Sequence, residues 1–149
     1  MYRHIKIGFL LLIIAQGLHS TEEYFGKLWD VLSPARFLSS LFSDNPESGF
    51  LAINTLLFVF GIFCWIVTTG KNKITKQSLI WIWIIIGAFN GVGHPLLALR
   101  EGSYFPGILT APVLLILSVY LARELIIYNG LVSTETDNRT KRALVIILL

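Results

Sequence analysis

Charge is what this sequence has least of. Of its 149 residues only 14% are Asp, Glu, Lys or Arg, against roughly 25% in an ordinary soluble domain, while 54% are hydrophobic and the mean hydropathy is +0.70. So few charges cannot cover the surface of a soluble domain. That excludes the soluble class and leaves an integral membrane protein. A single cysteine, Cys64, excludes an internal disulfide framework and reads as a small apolar filler. The 12 basic and 9 acidic residues give a net charge of +3, but the basic ones do not cluster beside aromatic-rich polar segments, so no nucleic-acid surface is expected. With no repeat, heptad or low-complexity tract, residues 1–149 read as one membrane domain.

What the sequence does have is long uncharged runs, at Ile7 to Thr21, Ser48 to Gly70, Gln77 to Leu99 and Gly102 to Ala122. A helix rising about 1.5 Å per residue needs about 20 apolar residues to cross a hydrocarbon core. The last three runs meet that length, and the first meets it if its helix starts near Ile5 and carries His19, Glu22 and Glu23 to the interface. The expectation is an all-α, transmembrane four-helix bundle with spans at about 5–25, 49–70, 77–99 and 104–127 and a tail at 128–149. The competing reading of the first run is a secretory signal peptide, with Arg3 and Lys6 before Ile7 to Ile14 and a small-x-small site at Ala15-Gln16-Gly17. Apolar residues continuing at Leu18, Tyr24, Phe25, Leu28 and Trp29 favour a retained helix. The seven apolar residues Ala143 to Leu149 are too few to span.

Alternate loops divide the basic residues unevenly. Arg3, Lys6, Lys71, Lys73, Lys76, Arg123, Arg139, Lys141 and Arg142 fall on one side, and Lys27, Arg36 and Arg100 on the other. By the positive-inside rule both termini are cytoplasmic, an N-in/C-in multi-pass protein of the cell membrane. Trp65, Trp81 and Trp83 then mark the inner interface, and Tyr24, Trp29 and Tyr104 the outer one. The outer loop holds turn residues with a short interfacial helix expected at Phe37 to Phe42, and Pro106 reads as opening the fourth helix after Ser103.

Threading the helices in alternating directions brings the intramembrane polar groups to one depth. His19 lies about 21 Å beyond Ile5, and Asn90 and His94 about 20 to 26 Å beyond Gln77. Asn54 in the first turns of the second helix, and Tyr104 and Thr110 at the start of the fourth, share the same outer half. Rotation agrees with depth: His19 and Glu23 lie 40° apart on their helix, as do Asn90 and His94 on theirs, with Glu22 60° from His19 on its other flank. Gly87 and Gly91 form a small-xxx-small ridge that requires a partner helix, in this chain or in a homodimer. Pro95 frees the carbonyl of Gly91 inside the bundle, and Pro112 is expected to free that of Ile108.

Adjacent carboxylates at Glu22 and Glu23 need compensation in a low-dielectric bundle. A proton, a nearby cation such as imidazolium, Arg36 or Arg100, or a bound metal ion could supply it. His19, Glu23 and His94, with Asn90 as a further oxygen donor, make the mixed nitrogen and oxygen set used by zinc or non-haem iron. Without metal the same groups suit general acid and base work. For single residues the bland reading holds: Asn54 and Thr110 as packing or helix back-bonding, Tyr104 as an interfacial anchor. Five such groups at one depth favour function, because intramembrane polar residues are costly.

The pattern His19-Ser20-Thr21-Glu22-Glu23, with Asn90-Gly91-Val92-Gly93-His94 in a later helix and Tyr104-Phe105-Pro106-Gly107 opening the last one, resembles the bacterial membrane-protein family named for its H-x-x-E-E motif. The resemblance implies that His19, Glu22, Glu23, Asn90 and His94 act together, but that family brings no assigned reaction. The leading expectation is an intramembrane enzyme acting on a lipid or other hydrophobic substrate. In it His19 and Glu23 are metal ligands or an acid/base pair, His94 is their counterpart, Asn90 an orienter and Glu22 a spare base. The alternatives are a carrier binding a proton, metal ion or small solute, and a structural protein whose polar cluster only fixes helix packing.

Overall fold

In the computed structural model, which describes residues 3–69 and 74–148, four long helices carry the chain across the span and two short ones sit in the first connection. They are α1 (Arg3–Phe25), α2 (Leu28–Val31), α3 (Ser33–Ser40), α4 (Pro46–Thr69), α5 (Ile74–Glu101) and α6 (Ala111–Leu148). The described residues contain no strand. Four helices, α1, α4, α5 and the Ala111–Leu131 part of α6, are long and apolar enough to cross a membrane. The basic residues Lys71 and Lys73, on which the expected orientation partly rests, lie outside the described residues.

Helix α1 runs through the middle of the bundle and touches each of the other three long helices. Its residues Ile5, Phe9, Leu12 and Ile13 are fully buried, facing Ile80, Trp83, Leu114, Leu121 and Leu125. Leu, Ile and Phe side chains such as Leu18, Phe63, Phe89 and Ile116 point outward, as expected where the surrounding medium is lipid and packing rather than water exclusion holds helices together.

Helices α5 and α6 make the most extensive pairing, and glycine is the reason. A Cβ on Gly91 would come within 2.8 Å of the Leu115 backbone nitrogen, and one on Gly87 would overlap the Ser118 hydroxyl. The ridge offered to a second chain is therefore occupied by α6 of the same chain. Trp83, expected at the interface, is 1% exposed and lies over Gly61 in the core. Bare helix at Gly61 leaves a socket that an indole fills.

The connection between α1 and α4 departs from expectation in register. Lys27 takes a left-handed φ of 51° after Gly26 and reverses the chain into α2, and Pro34 in the first turn starts α3 at Ser33 rather than at Phe37. The Arg36 guanidinium donates to the Trp29 carbonyl at 2.9 Å, holding α3 against the buried Trp29.

The fourth helix differs from the expected segment at both ends. Residues 104–110 fold as turns, and α6 begins only at Ala111, because Gly107 has a φ of +92° that no helix accommodates. Pro106 thus lies in a turn rather than opening a helix. Pro112 stands in the first turn of α6, where its missing N–H costs nothing, so it breaks no helical bond to Ile108. At the other end α6 continues through the tail to Leu148.

Candidate functional site

The site is assembled where α1 and α5 end and α4 and α6 begin. His19 and Glu23 stand one turn apart on the inward face of α1, and His94 reaches them from α5, just before Pro95. All three are buried, at 0%, 6% and 5% exposed. Glu23 Oε1 lies 3.4 Å from His19 Nε2 and 3.2 Å from His94 Nε2. The two imidazoles meet edge to face with centroids 4.6 Å apart, and one ligand atom from each residue falls within 4.8 Å of the other two.

The far nitrogens of both rings are anchored. His94 Nδ1 lies 2.5 Å from the Pro106 carbonyl, which can only accept, so Nδ1 carries a proton and Nε2 is the nitrogen that faces Glu23. His19 Nδ1 lies 2.8 Å from Thr110 Oγ1. That hydroxyl donates to Glu22 Oε2 at 2.6 Å, so it accepts from His19 Nδ1–H, and His19 also presents Nε2 to Glu23. His19 Nε2 is a fully buried nitrogen with no hydrogen-bond partner.

Glu22 points away from this centre, and each of its oxygens accepts twice. Oε1 takes the Tyr104 hydroxyl at 3.0 Å and the Leu109 N–H at 3.0 Å. Oε2 takes the Thr110 N–H at 2.9 Å besides the Thr110 hydroxyl. The carboxylate thus sits at the N-terminal end of α6, where backbone N–H groups and the helix dipole favour a negative charge. Its charge also acts on Tyr104: burial, the hydrogen bond to Glu22 and the nearby carboxylate together push that phenol above its ordinary value.

Segment 104–110 closes the site from above. A Cβ on Gly107 would lie 2.6 Å from His94 Nδ1 and 2.7 Å from His19 Cε1, and the φ of +92° is itself one that side chains avoid. Tyr104, Pro106 and Gly107 therefore each serve the cluster: one donates to Glu22, one accepts from His94, one lets the backbone lie against both rings.

Of the residues singled out in the sequence, the structure brings together His19, Glu23 and His94, with Glu22, Thr110 and Tyr104 in the surrounding network. Asn90 and Asn54 stand apart. Asn90 donates to Gln16 Oε1 at 3.2 Å, and Asn54 accepts from Ser20 at 2.7 Å while donating to the Phe50 carbonyl. Thr110, read alone as packing, bridges His19 and Glu22. Only the separation of Glu22 and Thr110 by 88 positions hid it.

On another flank of α1, turned away from the cluster, an apolar groove of about 530 Å³ runs between α1 and α4. Gly17, Leu18, Phe25, Leu51 and Phe58 line it, with Ser20 and Asn54 midway. Its size falls in the range of small-molecule sites.

The sequence model of a family described as "Protein of unknown function with HXXEE motif" matches residues 10–121, a stretch that includes every member of the cluster and of the segment covering it. Neither the curated proteins nor the solved structures offer a match. The matched stretch spans most of the chain, and the chain belongs to the HXXEE family.

Proposed function

We propose that this protein is a membrane enzyme that binds a divalent transition metal ion, zinc or iron, through His19, Glu23 and His94 and acts on a lipid or other hydrophobic molecule. The observation that carries the reading is the convergence of two imidazole nitrogens and a carboxylate oxygen in a buried space, the Nδ1 of each ring being already engaged elsewhere. Three acceptors facing one another repel unless a cation stands between them.

The distances favour a metal ion over a proton. Charge-assisted N–H···O bonds measure about 2.7–2.9 Å, whereas the two separations here are 3.2 and 3.4 Å. Ligand atoms bound tetrahedrally at about 2.0–2.2 Å are roughly 3.3–3.6 Å apart, the range of the two Glu23 separations, with the three atoms together spanning up to 4.8 Å. The charges balance as well, since Glu22 and Glu23 together offset one dication. Two histidines and one glutamate also leave a fourth position open, as in catalytic rather than structural zinc sites. A metal ion bound there would supply Lewis acidity and an activated water.

The protein's own groups hold the rings and exclude bulk water. A hydrophobic substrate is supported by the burial of the cluster among helices long and apolar enough to cross a membrane. With both termini cytoplasmic, as the basic residues suggest, the site opens near the outer leaflet of the cell membrane.

Elemental analysis of the detergent-purified chain tests this, with Glu23→Gln and His94→Ala carried through the same preparation. The expected result is near-stoichiometric zinc or iron in the wild type, lost in both variants. A wild type that stays metal-free after reloading removes the metal enzyme and leaves a proton-binding or purely structural cluster. If metal is present, turnover of lipid extracts that chelation abolishes and zinc or iron restores separates an enzyme from a carrier.

A further inference from the structure

The H-x-x-E-E pattern contains two glutamates, and the structure gives them different tasks. Thr110 shows this best. It immediately precedes α6, the N-cap position, where a threonine hydroxyl ordinarily accepts an N–H from the first turn. Here the first-turn N–H groups of Val113 and Leu114 go to the Thr110 carbonyl. The hydroxyl turns away to Glu22 at 2.6 Å and His19 at 2.8 Å. Glu22 meanwhile takes the Thr110 and Leu109 N–H groups, so the helix end is satisfied from α1.

We infer that Glu22 and Thr110 form a positioning relay that fixes which nitrogen of His19 carries the proton, so that Nε2 is held bare toward Glu23 and His94. The relay is directional. Glu22 lacks a proton and accepts, the threonine proton is committed to it, and the remaining Thr110 lone pair accepts only from Nδ1–H. Glu22 is thus the outer carboxylate of the site and Thr110 the link that turns its charge into a ring orientation. This is the pattern by which outer groups orient metal-binding histidines, here with a hydroxyl inserted between carboxylate and ring. His94 has the simpler version, with the Pro106 carbonyl as its acceptor. The consequence for metal affinity rests on the function proposed above; the state of the His19 ring does not.

The test uses the full chain in detergent, stripped of metal, with ¹⁵N-labelled histidine. The sequence has three histidines, so His4→Gln and His94→Ala assign the spectrum. Wild type and Thr110→Ser are expected to carry the His19 proton on Nδ1, and Thr110→Val to lose that preference. A wild-type His19 with a proton on Nε2, alone or together with one on Nδ1, or a folded Thr110→Val with unchanged signals, overturns the relay. Should Thr110→Val fail to keep its near-ultraviolet circular dichroism, the wild-type tautomer alone decides.

Zinc competition against a chelator reads the consequence. Thr110→Val is expected to weaken binding about 10- to 100-fold, with Thr110→Ser close to wild type. A Thr110→Val that binds zinc as tightly as wild type overturns the link to affinity. A wild type that binds no zinc but keeps the Nδ1–H tautomer overturns the metal reading and leaves the relay standing.

Discussion

The same small substitution at two glycines should move stability in opposite directions. Gly107→Ala adds a methyl where φ is +92° and where 2.6 Å separates it from His94 Nδ1 and 2.7 Å from His19 Cε1. An L-residue forced into left-handed backbone costs about 1–2 kcal/mol. Contacts roughly 1 Å inside the normal carbon separation add the ~1–3 kcal/mol of an overpacked core. Together they cost about 3 kcal/mol, more than a hundredfold in the folding equilibrium. Gly93→Ala, on α5 with nothing within 4 Å of the new methyl, should gain up to ~1 kcal/mol from helix propensity. Denaturation in detergent micelles, followed by the near-ultraviolet signal of the four tryptophans, compares the two with wild type. Equal midpoints for both variants, or a Gly107→Ala protein as stable as wild type, would show that segment 104–110 does not lie against the imidazoles.

Three further outcomes follow from particular contacts. The Ser118 hydroxyl is buried without a partner, so Ser118→Ala should leave thermal stability unchanged or raise it by about 1 kcal/mol; a loss of that size would point to a missing acceptor. Gly91→Leu should separate α5 from α6 and abolish a cooperative melt, since the new side chain meets the Leu115 backbone; retention of the transition would place the ridge elsewhere. The Tyr104 phenol is raised above its ordinary value by burial and by Glu22, so Glu22→Gln should lower its midpoint in an ultraviolet titration. By linkage this tyrosine favours the fold below its ordinary pKa, and that contribution is lost as pH rises through the folded-state midpoint. An unchanged midpoint in Glu22→Gln would detach the phenol from the carboxylate.

The spans were legible because their signal is local. A run of uncharged residues long enough to cross a membrane declares itself without knowledge of its neighbours, and depth along alternating helices follows by counting. That arithmetic was enough to bring His19, Glu23 and His94 together. It could not say which side of Glu22 faces the imidazoles, since 60° of rotation separates an inner carboxylate from one that caps another helix. Nor could it give Thr110, placed at the right depth, its bridging role, since its partners are set by a turn rather than by helical period. The start of the fourth span failed for a related reason: Tyr104 to Thr110 is apolar enough to be helix, and the positive φ of Gly107 that ends this possibility is visible only in the backbone. Trp83 was assigned by composition to an interface, whereas the socket above Gly61 that buries it exists only once α4 and α5 pair.

Glu22 ties residue 22 to the start of the last helix through contacts spanning 82 to 88 positions. During synthesis α1 is made first and waits. Until residues 104–110 emerge, its paired carboxylates have neither the α6 backbone nor His94's anchor at Pro106, and a nascent α1 must keep that end in water or among headgroups. The outer end of α1 therefore has its polar partners only once the segment before α6 is in place. A chain that stops short of residue 104 leaves Glu22 without its four donors and His94 without its carbonyl anchor.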